Sequence, residues 1–196
     1  EPGAPTSVKT WAGFGEALRT ALQPLGTKVV DWMTQSDAEL EAALRADAHI
    51  SPDGLRALGV LRCVVKAITY FQVSAFPGGT ATRMEAYARS RSLFHEMAMV
   101  LGPLLGLEIK THRIDLDGDA VEGYLVTPAG GGRHPLAIIT NGLEGTVQEL
   151  AIPLLRYHDS GMAVFVMEMP EAHCSAWVRA DPAVARFSVD YGSKTV

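Results

Sequence analysis

The residues best placed for chemistry form a short turn, Asn141 to Gly145, that follows an apolar run from Leu136 to Thr140. A second apolar run, Met162 to Met167, comes later in the chain. Neither run alternates with polar residues, which is typical of strands covered on both faces in a parallel sheet. Because open parallel sheets bind ligands at the carboxyl ends of their strands, the turn is the predicted ligand site.

The segment between the two runs is predicted to be an amphipathic helix. Leu150, Leu154 and Leu155 share one helical face. Gly161 suits the residue just past a helix end, where the backbone is left-handed. The whole segment is therefore predicted to be a strand–helix–strand unit with two parallel strands, and this unit must position the turn.

A helical N-terminal or cap region is predicted over residues 1–106, with four helices and no strand. Apolar residues spaced three and four apart from Trp11 to Leu25 indicate the first helix. Capping boxes at Ser36–Glu39 and Thr82–Glu85 predict the starts of the second and fourth. A serine followed by proline, Ser51-Pro52, predicts the start of the third.

From Leu107 onward, apolar residues alternate with polar ones instead of recurring every three or four positions. The first part of an α/β core is therefore predicted over residues 107–196. Alternating residues predict one strand, Asp117-Gly118 is a turn signal, and Val121 to Thr127 is a second strand. Two strands joined by so short a turn are predicted to form an antiparallel hairpin.

Composition excludes several classes of function. A net charge of −5 and a pI near 5.7 argue against binding to nucleic acid. No apolar run approaches the roughly 20 residues that cross a bilayer, so no membrane partner is expected. Cys63 and Cys174 give neither a disulfide framework nor zinc spacing, and the six histidines form no ligand pair. We therefore expect a cytoplasmic protein with no metal and no cofactor.

The order of elements and three groups of residues resemble the α/β-hydrolases, in particular the group of FrsA-like esterases and 2,6-dihydroxypseudooxynicotine hydrolase. The resemblance covers roughly residues 55–170. In chain order, its residues are Ala75-Phe76-Pro77 with Arg83, Ala86-Tyr87 and Phe94; Asn141 to Thr146 with Glu149; and Gly161 to Val164 with Glu168 to Pro170.

The resemblance implies acyl transfer by a serine-type enzyme acting on an ester, or on a C–C bond next to a ketone, in a small organic substrate. It implies that Gly142 and the amide of Leu143 form half of an oxyanion hole. It also implies that Glu144 and Asn141 contact the substrate. The simpler alternative is a tight turn whose carboxylates face solvent near a helix N-terminus.

The nucleophile is not recognisable, because the chain has no Gly-x-Ser-x-Gly motif. Ser193 is one candidate, although Tyr191 and Thr195 are bulky for so strained a turn. Cys174, among small residues, is another.

Two hypotheses therefore stand. In the first, the chain is the N-terminal half of a hydrolase whose later strands carry the remaining catalytic residues. In the second, it is a catalytically inactive interaction or ligand-binding module of the same fold. Such a module would complete its sheet with a partner chain or, as a homodimer, with a second copy.

Overall fold

The computed structural model describes residues 11–46, 50–76, 80–116, 119–140, 145–150 and 160–167. In these residues a helical region precedes a four-stranded mixed sheet, which confirms the predicted fold class. The helices are α1 (Trp11–Leu22), α2 (Lys28–Thr34), α3 (Asp37–Ala46), α4 (Pro52–Ala75) and α5 (Ala81–Leu104). The strands are β1 (Leu107–Leu116), β2 (Asp119–Pro128), β3 (Leu136–Thr140) and β4 (Ala163–Met167). Short 3-10 turns span Gln23–Leu25 and Val147–Leu150.

Two of the predicted helix starts are confirmed by the hydrogen bonds of their caps. At the start of α3, the Ser36 amide donates to Glu39 Oε2 at 2.8 Å, and the Glu39 amide donates back to Ser36 Oγ at 3.3 Å. At the start of α4, Ser51 Oγ accepts a hydrogen bond from the Gly54 amide at 3.0 Å. Both side chains bind amide groups that have no partner within their helix.

The predicted capping box at Thr82 is wrong, because α5 begins at Ala81, two residues earlier than that box requires. Thr80 is the capping residue: its backbone is extended, and its Oγ1 accepts a hydrogen bond from the Arg83 amide at 3.3 Å. Thr82 lies inside the first turn of the helix. The sequence favoured Thr82 because a glutamate, Glu85, follows it by three residues, as a capping box requires. Thr80 has Arg83 at that distance and so does not fit the box.

Replacing Thr80 by alanine is expected to destabilise the protein by about 1 kcal/mol, since the Arg83 amide loses its partner. Thr82→Ala is the matched control. It removes the same side chain from an exposed helical position, where alanine has the higher helix propensity, so no loss is expected. Urea unfolding of the two variants measures the difference. An equal loss in both variants would contradict the assignment of Thr80 as the cap.

The prediction of four helices was also wrong, because the described residues contain a further short helix, α2. Its preceding residue, Thr27, makes no side-chain capping hydrogen bond, so no cap stabilises the start of this helix. Tertiary packing stabilises it instead. Val29, Val30 and Trp32 are buried in the core, and the carbonyl of Trp32 accepts a hydrogen bond from Arg62 of α4 at 2.9 Å.

The strands lie in the order β1-β2-β4-β3. β1 and β2 form the predicted antiparallel hairpin, in a register that runs from Leu107 opposite Pro128 to Leu116 opposite Asp119. β2 pairs antiparallel with β4, and β4 pairs parallel with β3. The predicted parallel pair is therefore confirmed.

The expectation that both parallel strands are covered on both faces is met only in part for β4 and is wrong for β3. On β4, the face that carries Val164 and Val166 is fully buried, whereas Phe165 and Met167 on the other face are only partly buried. In contrast, Leu136 and Ile138 of β3 are 54% and 62% exposed. Leu136 and Ile138 share one face of β3, and none of the described elements covers that face, although its apolar residues suit burial.

Helices and sheet share one hydrophobic core. Leu58 of α4, Leu101 of α5, Tyr124 of β2 and Val164 of β4 are all buried members of it. The ring of Phe94 meets that of Tyr124 edge to face, with centroids 5.1 Å apart. This shared core holds the helical region against the sheet.

By length and composition alone, α4 could cross a membrane, contrary to the expectation from the sequence. In the structure it packs along α5 and against α1 and α2. Leu58 and Leu61 of α4 are buried in the shared core, and Arg62 binds carbonyl groups at the end of α2. This packing uses only part of the apolar surface of α4, since Tyr70 and Val73 near its end are 71% and 69% exposed.

Candidate active site

The carboxyl ends of the two parallel strands meet at one edge of the sheet. Thr140, the last residue of β3, pairs with Met167, the last residue of β4. This edge is where the predicted turn leaves the sheet. The turn residues Asn141, Gly142, Leu143 and Glu144 themselves lie outside the described residues, as do both nucleophile candidates, Ser193 and Cys174.

Residues 145–150, the described segment that follows the turn, pack against the helical region. Val147 is buried in the shared core, at the start of the 3-10 turn Val147–Leu150. This turn contacts α4, α5 and β4. Beside it, Gln72 of α4 donates a hydrogen bond through Nε2 to Glu149 Oε1 at 2.7 Å. The helical region therefore lies beside the edge of the sheet where the parallel strands end.

Two polar side chains in this segment are almost completely buried. Thr146 is 1% exposed and Gln148 is 5% exposed. Within the part of the chain that the structure describes, neither Thr146 Oγ1 nor the two polar atoms of the Gln148 side chain have a hydrogen-bond partner. Buried polar groups are nearly always hydrogen-bonded in proteins, so these atoms call for a partner.

Sequence analysis did not single out Thr146 or Gln148 as functional. Thr146 appeared in the resemblance only as part of the turn, and Gln148 sits where the spacing predicted the first turn of an exposed amphipathic helix. Their burial results from contact with α4 and α5, which are distant in the sequence. One sequence feature could have pointed to these two residues, since both are uncharged polar residues directly after the turn. Such residues are common at helix starts, so the feature did not distinguish them.

Glu149, in contrast, is exposed, as expected of a carboxylate near the start of a helix. Its role in the structure is to bind Gln72 and so to connect the segment after β3 with α4. The remainder of the predicted helix, including Leu154 and Leu155, lies outside the described residues. Gly161 has the predicted left-handed backbone, with φ of 66°.

A cluster of charged side chains lies at the same edge of the sheet. Glu122 is adjacent to Gly123, which pairs with Met167 at the end of β4. Arg91 of α5 donates to Glu122 at 2.9 Å, and Arg113 of β1 donates to it at 3.2 Å. These contacts connect α5 to the hairpin across the edge.

The charges in this cluster stabilise one another. The hydrogen bond from Arg91 is the main reason that the pKa of Glu122 lies below its ordinary value, with a smaller contribution from Arg113. Hydrogen bonds to Asp115 and then Glu122 raise the pKa of Arg113. Both arginines are therefore engaged with protein carboxylates.

The histidines within the described residues lie apart from one another. His95 faces the Tyr124 ring, His112 faces the Phe165 ring, and Nδ1 of His134 is 3.1 Å from the carbonyl oxygen of Gly161. His134 precedes β3, so it lies at the opposite edge of the sheet from the turn. His49, His158 and His173 lie outside the described residues. Across the described ranges, no three His, Cys, Asp or Glu side chains come together as a metal site.

No family model and no curated protein matches the chain. Solved structures do match it in part. The structure of AbyA5 matches with a TM-score of 0.49 and 23% identity, over 56% of this chain and 32% of that one. A structure of wild-type AbyA5 matches with a TM-score of 0.47 and 21% identity, over 71% and 46%.

A crystal structure of 2,6-dihydroxy-pseudo-oxynicotine hydrolase matches with a TM-score of 0.47 and 23% identity, over 85% of this chain and 40% of that one. A hydrolase that the sequence resembles is thus among the solved structures that match the chain in part. The chain spans between about a third and a half of the length of these matched structures.

Proposed function

We propose that this chain is the N-terminal part of a serine-type α/β-hydrolase that cleaves an ester, or a C–C bond next to a ketone, in a small organic substrate. One observation carries the proposal: the Asn141–Gly145 segment leaves the carboxyl end of β3, directly beside its parallel neighbour β4. That is the edge at which sheets of this kind bind ligands. Helix α4 lies against the segment that follows and would close the site from above.

In this proposal, the glycine turn supplies half of an oxyanion hole. Gly142 has no Cβ, so the backbone could approach an acyl oxygen closely. The amide of Leu143 would donate a hydrogen bond to that oxygen, with Asn141 and Glu144 contacting other parts of the substrate. Such a donor acts chiefly on the transition state, where negative charge has accumulated on the oxygen.

The chemistry is acyl transfer in two steps. A serine hydroxyl loses its proton to a histidine and attacks the carbonyl carbon, and the resulting oxyanion is held by the hole. The oxyanion then collapses, the histidine returns the proton to the leaving alkoxide or carbanion, and an acyl-enzyme remains. Water releases the acid by the same route. Ser193 stays a candidate nucleophile, and a Gly-x-Ser-x-Gly motif on a later strand is the other.

The position of β3 supports a sheet that continues beyond the described strands. β3 is the outer strand in the order β1-β2-β4-β3, and an unpaired strand edge readily accepts another strand. In a hydrolase, that strand would belong to the same polypeptide. In the alternative, an interaction module, it would come from a partner chain or from a second copy.

The proposal is tested by labelling the purified protein with a fluorophosphonate probe while hydrolysis of p-nitrophenyl acetate is followed. Covalent labelling and turnover, both abolished by heat denaturation, are the expected results. Labelling that persists in Ser193→Ala would place the nucleophile elsewhere in the protein. Absence of both labelling and turnover, together with a stable dimer in solution, would overturn the proposal in favour of the interaction module.

A further inference from the structure

Residues 145–150, which we call the strap, lie between the helical region and the end of β4. Val147 of the strap is buried in the shared core, and the 3-10 turn that it begins contacts α4, α5 and β4. The strap therefore separates the helices from the carboxyl edge of the parallel strands. If it left this position, that edge would open on the side of the helices.

Opposing contributions act on the buried position of the strap. Burial of Val147 favours it, since an apolar side chain is removed from water. Burial of Thr146 and Gln148 opposes it, because Thr146 Oγ1 and both polar atoms of the Gln148 amide have no hydrogen-bond partner among the described residues. Each buried polar group without a partner costs about as much free energy as the burial of one valine provides. Taken together, these three side chains do not favour the buried position.

Gln72 of α4 adds a contact that does favour it. Its Nε2 donates a hydrogen bond to Glu149 Oε1 of the strap at 2.7 Å. A hydrogen bond to a carboxylate is stronger than one between neutral groups. Gln72 is half-buried and Glu149 is exposed, so this bond lies at the surface, where it can break and form again without disturbing the core.

We propose that the strap alternates between the buried position and a released one, and that Gln72 is the latch that holds it in the buried position. In the released position, water hydrogen-bonds to the side chains of Thr146 and Gln148, which offsets the contacts that Val147 loses. A segment with so small a net preference opens locally, at a lower free energy than global unfolding. Release uncovers the edge at which open parallel sheets bind ligands, so the strap controls access to that edge.

Hydrogen–deuterium exchange of the full chain tests the proposal, with mass spectrometry of peptides that contain residues 145–150. Where the strap closes faster than its amides exchange, the exchange rate follows the fraction of released strap. Gln72→Glu keeps the shape of the side chain but places two carboxylates together, so it is expected to raise this rate about tenfold. The double variant of Gln72→Glu with Glu149→Gln again places a donor opposite an acceptor. Its rate should return to near the wild-type value.

Gln148→Met and Thr146→Val act in the opposite direction. Each removes a buried polar group with little change of shape, so each should slow exchange in the strap several-fold. Arg56→Leu is the control for the latch, because it removes an exposed hydrogen bond of α4, to Asp53, roughly 24 Å along the helix from the latch. Gln35→Met is the control for the buried groups, because Gln35 Oε1, just after α2, is also buried without a described partner. Neither control should change exchange in the strap.

Several results would overturn the proposal. If exchange is unchanged in Gln72→Glu, or the double variant does not restore it, Gln72 is not a latch. If Gln148→Met exchanges as fast as the wild type or faster, or does not fold, its amide has partners in the buried position. A change that spreads equally over peptides of the core reports global stability rather than release of the strap. The inference goes beyond the proposed function and is measured without it, so absence of ester turnover would reject the hydrolase and retain the strap.

Discussion

Replacing Gly123 by alanine is expected to destabilise the protein by about 1–3 kcal/mol. Gly123 lies in β2 opposite Met167 of β4. A Cβ added to it would overlap the carbonyl oxygen of Val166 and would lie 2.9 Å from two ring carbons of Phe165. The ring can move, but the carbonyl belongs to the backbone of the central strand, so the two strands would have to separate.

Gly59→Ala is the matched control for this prediction. Gly59 is exposed within α4, and an added Cβ there would meet no atom within 4 Å. Alanine is favoured over glycine in a helix interior by roughly 0.5–1 kcal/mol, so this variant should be more stable than the wild type. Urea unfolding at constant pH gives both values. A Gly123→Ala protein as stable as the wild type would show that β2 and β4 do not approach as closely as described.

The close approach at Gly123 bears on the candidate site. The missing side chain leaves room for the Phe165 ring, which also meets the ring of His112 edge to face at 6.5 Å. This contact connects β1 with β4 across Gly123 of β2, two residues before β4 ends at Met167. Because the turn after β3 is held through its pairing with β4, Gly123→Ala should also reduce any activity that depends on the turn.

Much of the fold could be predicted from local patterns in the sequence. The hairpin is an example, since alternation from Leu107 and the Asp117-Gly118 signal gave both strands and their antiparallel pairing. The caps at Ser36 and Ser51 are similar, because each acts on amides within its own first turn. Features that depend on residues close in sequence were therefore accessible.

Features that depend on distant residues were not accessible in this way. Helix α2 lacks a cap and is held by the core and by Arg62, thirty positions after the Trp32 carbonyl that it binds. The burial of β3 depends on its neighbours, and an apolar run cannot show that one face is open. The burial of Gln148 likewise follows from packing against the helices, which its sequence neighbours do not indicate.

The oxyanion hole leads to the prediction with the largest effect on catalysis. Under the proposed function, Gly142→Val is expected to lower kcat for p-nitrophenyl acetate by about 10²–10³, the usual effect of losing one such donor. The branched side chain would keep the substrate oxygen away from the Leu143 amide. Because this hydrogen bond would strengthen chiefly in the transition state, KM should change little.

Leu143→Ala is the control, since it shortens the side chain while keeping the backbone N–H that is proposed to donate. It should retain most of the wild-type kcat, and equal denaturation midpoints would show that both variants are folded. If Leu143→Ala loses as much activity as Gly142→Val, the side chain of Leu143 rather than its amide is what the reaction requires. If Gly142→Val keeps its kcat, the acyl oxygen is not bound at this turn, and the tight turn with solvent-facing carboxylates becomes the better interpretation.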